Sequence, residues 1–209
     1  MADNRLLLAT NNDHKVRELR RLLAHLPLAL LTPAEAGVSL EPAEDGATYE
    51  ANALATARAF ADASGLPALA DDSGIEVDAL GGRPGVHSAR YGGSGLTDEN
   101  RVALLLRELA DVPDGERTAR YRAVLAVVAP DGTERTAEGW CEGTVAHTRD
   151  GANGFGYDPV FFVAALGVTM ARLTDEEKDA VSHRGNAARA IAPVLAAWPL
   201  ASDVARARS

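Results

Sequence analysis

Short apolar runs alternate with amphipathic stretches along the whole chain, and each switch of period predicts a change of element. Arg5 to Thr10 reads as a buried strand, after which Val16, Leu19, Leu22, Leu23 and Leu26 recur at helical spacing over Lys15 to Leu26. A second helix is predicted from Tyr49 to Ser64, closed by Gly65 and Pro67, with Leu54, Ala57, Phe60 and Ala61 inward. A short strand, Ala68 to Asp71, follows it. Asp98 to Leu109 is a third helix capped by Thr97, and Arg117 to Ala129 and Glu134 to His147 read as strands turning at Pro130-Asp131-Gly132. Val160 to Phe162 is a further strand, Thr174 with Glu177 forms a capping box for a short helix, and Asn186 to Trp198 is the last helix. Strand and helix alternate without repeat or low-complexity linker, which is the pattern of the α/β class.

Composition narrows this picture. A chain of 209 residues suits one large domain or two lobes sharing a core, and residues 199–209 read as an unstructured tail. The 41 alanines leave roughly 55 larger apolar side chains, still ample for a stable interior. With 21 basic against 30 acidic residues the net charge is −9, so the chain lacks the basic stripe that nucleic acid demands, and nucleic acid is excluded as the main partner. A single cysteine, Cys141, makes no internal disulfide and fits a reducing compartment. No signal pattern opens the chain and no apolar run approaches the roughly 18 residues that span a bilayer, so the expectation is a cytoplasmic protein with no membrane partner.

Familiar signatures such as G-x-x-x-x-G-K-S/T, H-E-x-x-H and G-x-S-x-G are absent. Five polar clusters remain. Thr10-Asn11-Asn12-Asp13-His14-Lys15 lies between the first strand and helix, where free amides and a lysine attract phosphate; the same residues serve an ordinary helix cap. Only two lysines occur, Lys15 and Lys178, which points to specific anion contacts in a chain that otherwise uses arginine. Glu44-Asp45-Gly46 precedes Tyr49, Glu50 and Asn52, as dipole partners or as metal ligands. Asp71-Asp72-Ser73-Gly74 sets two carboxylates at the end of an apolar strand, and Asp72 with Glu44 is the oxygen set Mg²⁺ uses beside substrate phosphates. Gly151 to Pro159 combines three glycines with the flat faces of Phe155 and Tyr157, a nucleobase pocket or a plain turn. Ser182-His183-Arg184-Gly185, just before a helix, offers donors for a purine edge or a phosphate.

Thr10-x-Asn12-x-x-Lys15, Glu44 to Asn52, Ala70 to Gly74, Gly81-Gly82-x-Pro84-Gly85 with Ser88-Ala89-Arg90-Tyr91, Gly154 to Pro159 and Ser182 to Gly185 occur in one order. In that order the chain resembles the inosine triphosphate pyrophosphatase family, the bacterial dITP/XTP pyrophosphatases, over about residues 5 to 198. The resemblance implies an elongated α/β fold of two lobes around a long mixed sheet flanked by helices. It also implies a homodimer and a Mg²⁺-dependent reaction giving nucleoside monophosphate and pyrophosphate, which keeps non-standard purines out of the nucleotide pool. By resemblance the triphosphate falls to Thr10, Asn11, Asn12, Asp13, His14 and Lys15, the metal to Glu44 and Asp72, and the proton acceptor's role to Asp72. Ser73, Phe155, Gly156, Tyr157, Asp158, Lys178, His183 and Arg184 are implied in substrate binding. Two positions depart from the family: Ala43-Glu44 stands where two glutamates are common, and Asp13 puts an acid in the phosphate loop.

On that reading Asp72 holds metal and water while Asp71 assists. A 6-oxo purine presents an acceptor where adenine presents a donor, so backbone amides of Phe155 to Asp158 and the side chains of His183 and Arg184 are the expected donors, with Phe155 stacking. Two rivals stay open: a pyrophosphatase for other modified nucleotides, and a non-catalytic nucleotide sensor.

Overall fold

The computed structural model describes residues 4–93 and 95–197; Trp198 and the expected tail at 199–209 lie outside the described residues. Seven strands form one mixed sheet: β1 (Arg5–Leu8), β2 (Ala29–Leu31), β3 (Ala68–Val77), β4 (Thr118–Val128), β5 (Glu134–Val145), β6 (Phe161–Val163) and β7 (Val168–Thr169). Their hydrogen-bonded order is β2-β1-β3-β4-β5-β6-β7, with β1 parallel to β2 and β3 and with β5, β6 and β7 successively antiparallel. The helices are α1 (Asp13–Leu22), α2 (Tyr49–Ser64), α3 (Asp98–Glu108), α4 (Asp175–Val181) and α5 (His183–Ala197). The α/β class read from the pattern is the class found. Among the described residues no helix is long and apolar enough to cross a membrane.

The chain divides into two compact units, each with its own interior. The first takes residues up to Asp72, Val124–Gly139 and the chain from Ala187. Its β1 buries Leu6, Leu7 and Leu8, and α2 meets that interior with Ala53, Ala57, Phe60 and Ala61. Small alanines let α2 lie close to its neighbours, while Phe60, 1% exposed, fills the volume they leave, worth roughly 1.5–3 kcal/mol of transfer free energy. Thr48 caps α2 by accepting from the Ala51 N–H, and Gly65 ends it in the left-handed region, its N–H donating to the Ala61 carbonyl.

The second unit comprises Ser73–Ala123 and Trp140–Asn186. Ile75, Val102, Leu105, Leu109, Tyr121, Tyr157, Val160, Phe161 and Met170 are among its buried core. Arg117, 2% exposed, is tied by hydrogen bonds to the carbonyls of Leu109, Val145 and Ala146, which fixes the end of α3 against β5 within this unit.

Three elements differ from expectation. Helix α1 starts at Asp13 rather than Lys15, because the Asn12 side chain caps it. Strand β3 runs on to Val77 instead of stopping at Asp71, so the acidic pair lies within a strand and not at its end. Helix α5 begins at His183, three residues early, because Ser182 accepts the Gly185 N–H at 3.1 Å and serves as its cap. The short strands β2 and β7 were not anticipated.

Candidate active site

In the first unit, the turn from β1 into α1 is held by its own side chains. Thr10 Oγ1 accepts the Asn12 N–H at 3.2 Å, and Asn12 Oδ1 accepts the N–H groups of His14 and Lys15 at 2.9 and 3.3 Å. Asn11 reaches outward to donate to the Leu40 carbonyl at 2.8 Å, fastening the segment that leads to Glu44. Asp13 and His14 are exposed, His14 accepting from Arg17 at 2.8 Å. Lys15, in the first turn of α1, turns its ammonium to Asp71: 2.9 Å from the carboxylate and 2.9 Å from the backbone carbonyl.

Asp72 is the next residue of β3, 5% exposed. Its Oδ2 accepts the Asn52 amide at 2.9 Å, and Asn52 Oδ1 accepts the Gly46 N–H at 2.7 Å. One buried amide on α2 therefore ties the segment carrying Glu44 to the Asp72 carboxylate. A Cβ on residue 46 would lie 2.5 Å from Asn52 Oδ1, so glycine there permits the close approach. Burial pushes the Asp72 carboxyl up to about 6; the Asn52 hydrogen bond and the Lys15 charge lower it, and the charges of Glu44 and Asp71 raise it again.

These residues fit a divalent cation in a restricted sense. Among the described residues no group of three or more His, Cys, Asp or Glu side chains is arranged to hold a metal. Asp72 and Glu44 supply two carboxylates, with Asp71 engaged by Lys15. Mg²⁺ commonly takes one or two carboxylates and completes its octahedron with water and substrate phosphate, and a buried Asp72 whose carboxyl is pushed up beside Glu44 suits such an ion.

The second unit holds the other cluster. Asp158, 2% exposed, organises the loop before β6: Oδ2 accepts from the Phe155 N–H at 2.9 Å and from Lys178 at 2.5 Å, and Oδ1 from the Tyr121 hydroxyl at 3.2 Å. The Lys178 ammonium lies 5.0 Å from the centre of the Phe155 ring and the Arg184 guanidinium 5.6 Å, so two cations attend one aromatic face system. Arg184, 1% exposed, donates to Ser73 Oγ at 2.8 Å, and His183 stacks on Tyr121 with centroids 4.5 Å apart and planes 13° apart. At Gly154 a Cβ would lie 2.0 Å from Asp158 Oδ2, and φ is +74°, so the loop closes this tightly only with glycine there.

Two placements bear on the sequence reading. Tyr157 lies in the hydrophobic core, its hydroxyl donating to the Ser88 carbonyl at 2.9 Å. Three of the loop's amides have partners: Phe155 N–H with the Asp158 carboxylate, Gly156 N–H with Asp98 of α3, and Asp158 N–H with the Phe155 carbonyl. Both lysines singled out by their rarity sit in ion pairs with buried aspartates. Two residues escaped a role in the sequence: Asn52, visible only as a neighbour of Glu44, and Tyr121, indistinguishable from the inward positions of its strand.

Fold and clusters define an α/β protein of mixed sheet, with a carboxylate and lysine cluster in one unit and an aromatic, cation-bearing loop in the other. The chain belongs to the Ham1 family, whose model matches residues 6–194. It is 50% identical over 183 residues to a dITP/XTP pyrophosphatase of Geobacter sulfurreducens, covering 88% of this chain and 92% of that one. With a dITP/XTP pyrophosphatase of Thermus thermophilus the identity is 47% over 202 residues, covering 97% of each. Among solved structures, a HAM1 protein from Coxiella burnetii superposes with a TM-score of 0.83 at 38% identity, over 91% of this chain and 98% of the other.

Proposed function

We propose that this chain hydrolyses dITP, XTP and ITP to the nucleoside monophosphate and pyrophosphate, and so removes non-standard purines from the nucleotide pool. The observation that carries this reading is the buried Asp72 carboxylate, tied through Asn52 to the segment bearing Glu44 and adjoining the Lys15–Asp71 pair. The relatives named dITP/XTP pyrophosphatase, similar over nearly the whole chain, support the substrate class.

On this reading Glu44 and Asp72 would hold Mg²⁺, which when bound would neutralise the charge that develops on the phosphates. Asp72 accepts the proton of the water that attacks the phosphorus nearest the ribose, while the bond to the next phosphate breaks and pyrophosphate leaves. A carboxyl titrating at about 6 is largely ionised at neutral pH and basic enough for that task. Asp71 keeps the Lys15 ammonium pointed at the same place, where it meets phosphate oxygens.

In the second unit Phe155 stacks on the purine, and His183 and Arg184 donate to its 6-oxo edge. Adenine presents a hydrogen donor there and leaves those donors unsatisfied, which rejects ATP.

The test is the product pair. With Mg²⁺ and ITP, dITP or XTP, the expected products are monophosphate and pyrophosphate, with rates far above those on ATP or GTP. Diphosphate plus phosphate, or equal rates across the panel, would sink the proposal. Sedimentation of the same protein checks the homodimer that accompanies it.

A further inference from the structure

We infer that Tyr121, on β4 of the second unit, is a positioning residue for base recognition, locking the Asp158 carboxylate and the His183 ring into one arrangement. The inference rests on the purine reading of that cluster. Tyr121 is 6% exposed and touches both halves of the cluster. Its hydroxyl donates to Asp158 Oδ1 at 3.2 Å, and its ring lies nearly parallel to the His183 imidazole, 4.5 Å away. On its other contact the ring leans on Phe161 at 4.5 Å and 43°, which anchors it in the core.

Packing alone does not call for a tyrosine. A phenylalanine would fill the same volume and stack equally on His183 and Phe161. What the hydroxyl adds is one hydrogen bond to a buried carboxylate, and a buried hydroxyl needs such a partner. That carboxylate is the hub of the loop: its other oxygen holds the Phe155 N–H and the Lys178 ammonium. Three hydrogen bonds thus fix the Asp158 carboxylate, and among the described residues Tyr121 supplies the one on Oδ1. Without it, Asp158 is free to rotate toward Lys178, and the Phe155 backbone follows.

The consequence falls on selectivity. With the Phe155, Gly156 and Asp158 amides already engaged, the side-chain donors for discrimination at the purine edge are His183 and Arg184. Donors reject the wrong base only while held within a fraction of an ångström, since a loose donor accommodates either partner. Tyr121 sets the plane of His183 by stacking and the height of Phe155 through Asp158, so both parts of the pocket share one support.

The experiment compares wild type with Tyr121→Phe, which keeps the ring and removes the hydroxyl. KM for ITP is expected to rise about tenfold with kcat within about threefold, and the ITP-to-GTP ratio of kcat/KM to fall about tenfold. Product inhibition by pyrophosphate, which probes the phosphate cluster alone, is expected to stay unchanged, as is the melting temperature within a few degrees. In ligand-free protein the Phe155 amide resonance is expected to shift. Incorporating 3-fluorotyrosine at position 121 restores ring and donor together and is expected to restore the wild-type ratio. An unaltered ITP-to-GTP ratio in Tyr121→Phe, an equal loss in pyrophosphate inhibition, or no recovery with the fluorinated residue would overturn the inference. A wild-type enzyme without preference for ITP would instead overturn the purine reading beneath it, an outcome read before any variant is made.

Discussion

Replacing Asp72 by asparagine is expected to make the metal-free protein more stable at neutral pH while removing its activity. Burial and two neighbouring carboxylates push the Asp72 carboxyl from 3.8 up to about 6 in the folded protein. Below about pH 3.8 both folded and unfolded chains carry the proton, and the group has no effect on stability. Between that value and about 6 the unfolded chain releases its proton while the folded one keeps it, so stability falls as pH rises. Above about 6 the whole penalty is present: a gap of roughly two, at about 1.4 kcal/mol for each, is on the order of 3 kcal/mol.

Asparagine removes the charge and keeps an oxygen for the Asn52 amide, so most of that penalty is relieved. For a chain of this length about 3 kcal/mol corresponds to roughly 6–12 °C in melting temperature. The assay is scanning calorimetry in EDTA at about pH 7.5 and about pH 3.5, where the gain is expected only at the higher pH. Magnesium is then expected to raise the wild-type transition and to leave that of Asp72→Asn in place. Turnover of ITP in the variant is expected to drop by about 100-fold or more. An Asp72→Asn protein that melts at or below wild type at the higher pH in EDTA would refute the reasoning, because the carboxylate would then be a stabilising group and not a strained one.

Asn52→Ala leaves the Gly46 N–H and Asp72 Oδ2 without their shared buried partner, which is expected to cost about 1–3 kcal/mol by denaturant titration. Since that hydrogen bond lowers the Asp72 carboxyl, the acid limb of kcat/KM against pH is expected to move upward in the same variant; an unmoved limb would cut the link between Asn52 and Asp72. Gly154→Ala puts a methyl 2.0 Å from Asp158 Oδ2 at a positive φ, and is expected to raise KM for ITP at least about tenfold, with a wild-type KM refuting the tightness claimed for the loop.

Elements marked by local chemistry were legible in the sequence. Helix α2 spans Tyr49–Ser64 as read and ends at Gly65, and the Thr174–Glu177 capping box is present in full. What local chemistry did not show is where a polar run continues an element because distant residues satisfy it. Asp71, Asp72 and Ser73 read as the end of a strand, yet β3 passes through them because Lys15, Asn52 and Arg184 meet their side chains. His183 and Arg184 read as lying just before a helix, and become the first turn of α5 once Ser182 turns inward as its cap. The candidate site followed the same division: rarity singled out Lys15 and Lys178, while their aspartate partners, 56 and 20 residues away, were invisible to any local window.

Those pairings bear on how an acidic chain accommodates a polyanion. Asp71 holds the Lys15 ammonium and Asp158 that of Lys178, so each is aimed before any substrate arrives. The charge of Glu44 acts repulsively on the Asp72 carboxylate. A nucleoside triphosphate in the cell travels with Mg²⁺, and on the proposed reading it is this cation that Asp72 and Glu44 attract, while the preset lysine meets the phosphates. The net charge of −9 then works against free triphosphate and in favour of the metal complex. Affinity for ITP is accordingly expected to depend on the dication far more steeply than screening alone gives.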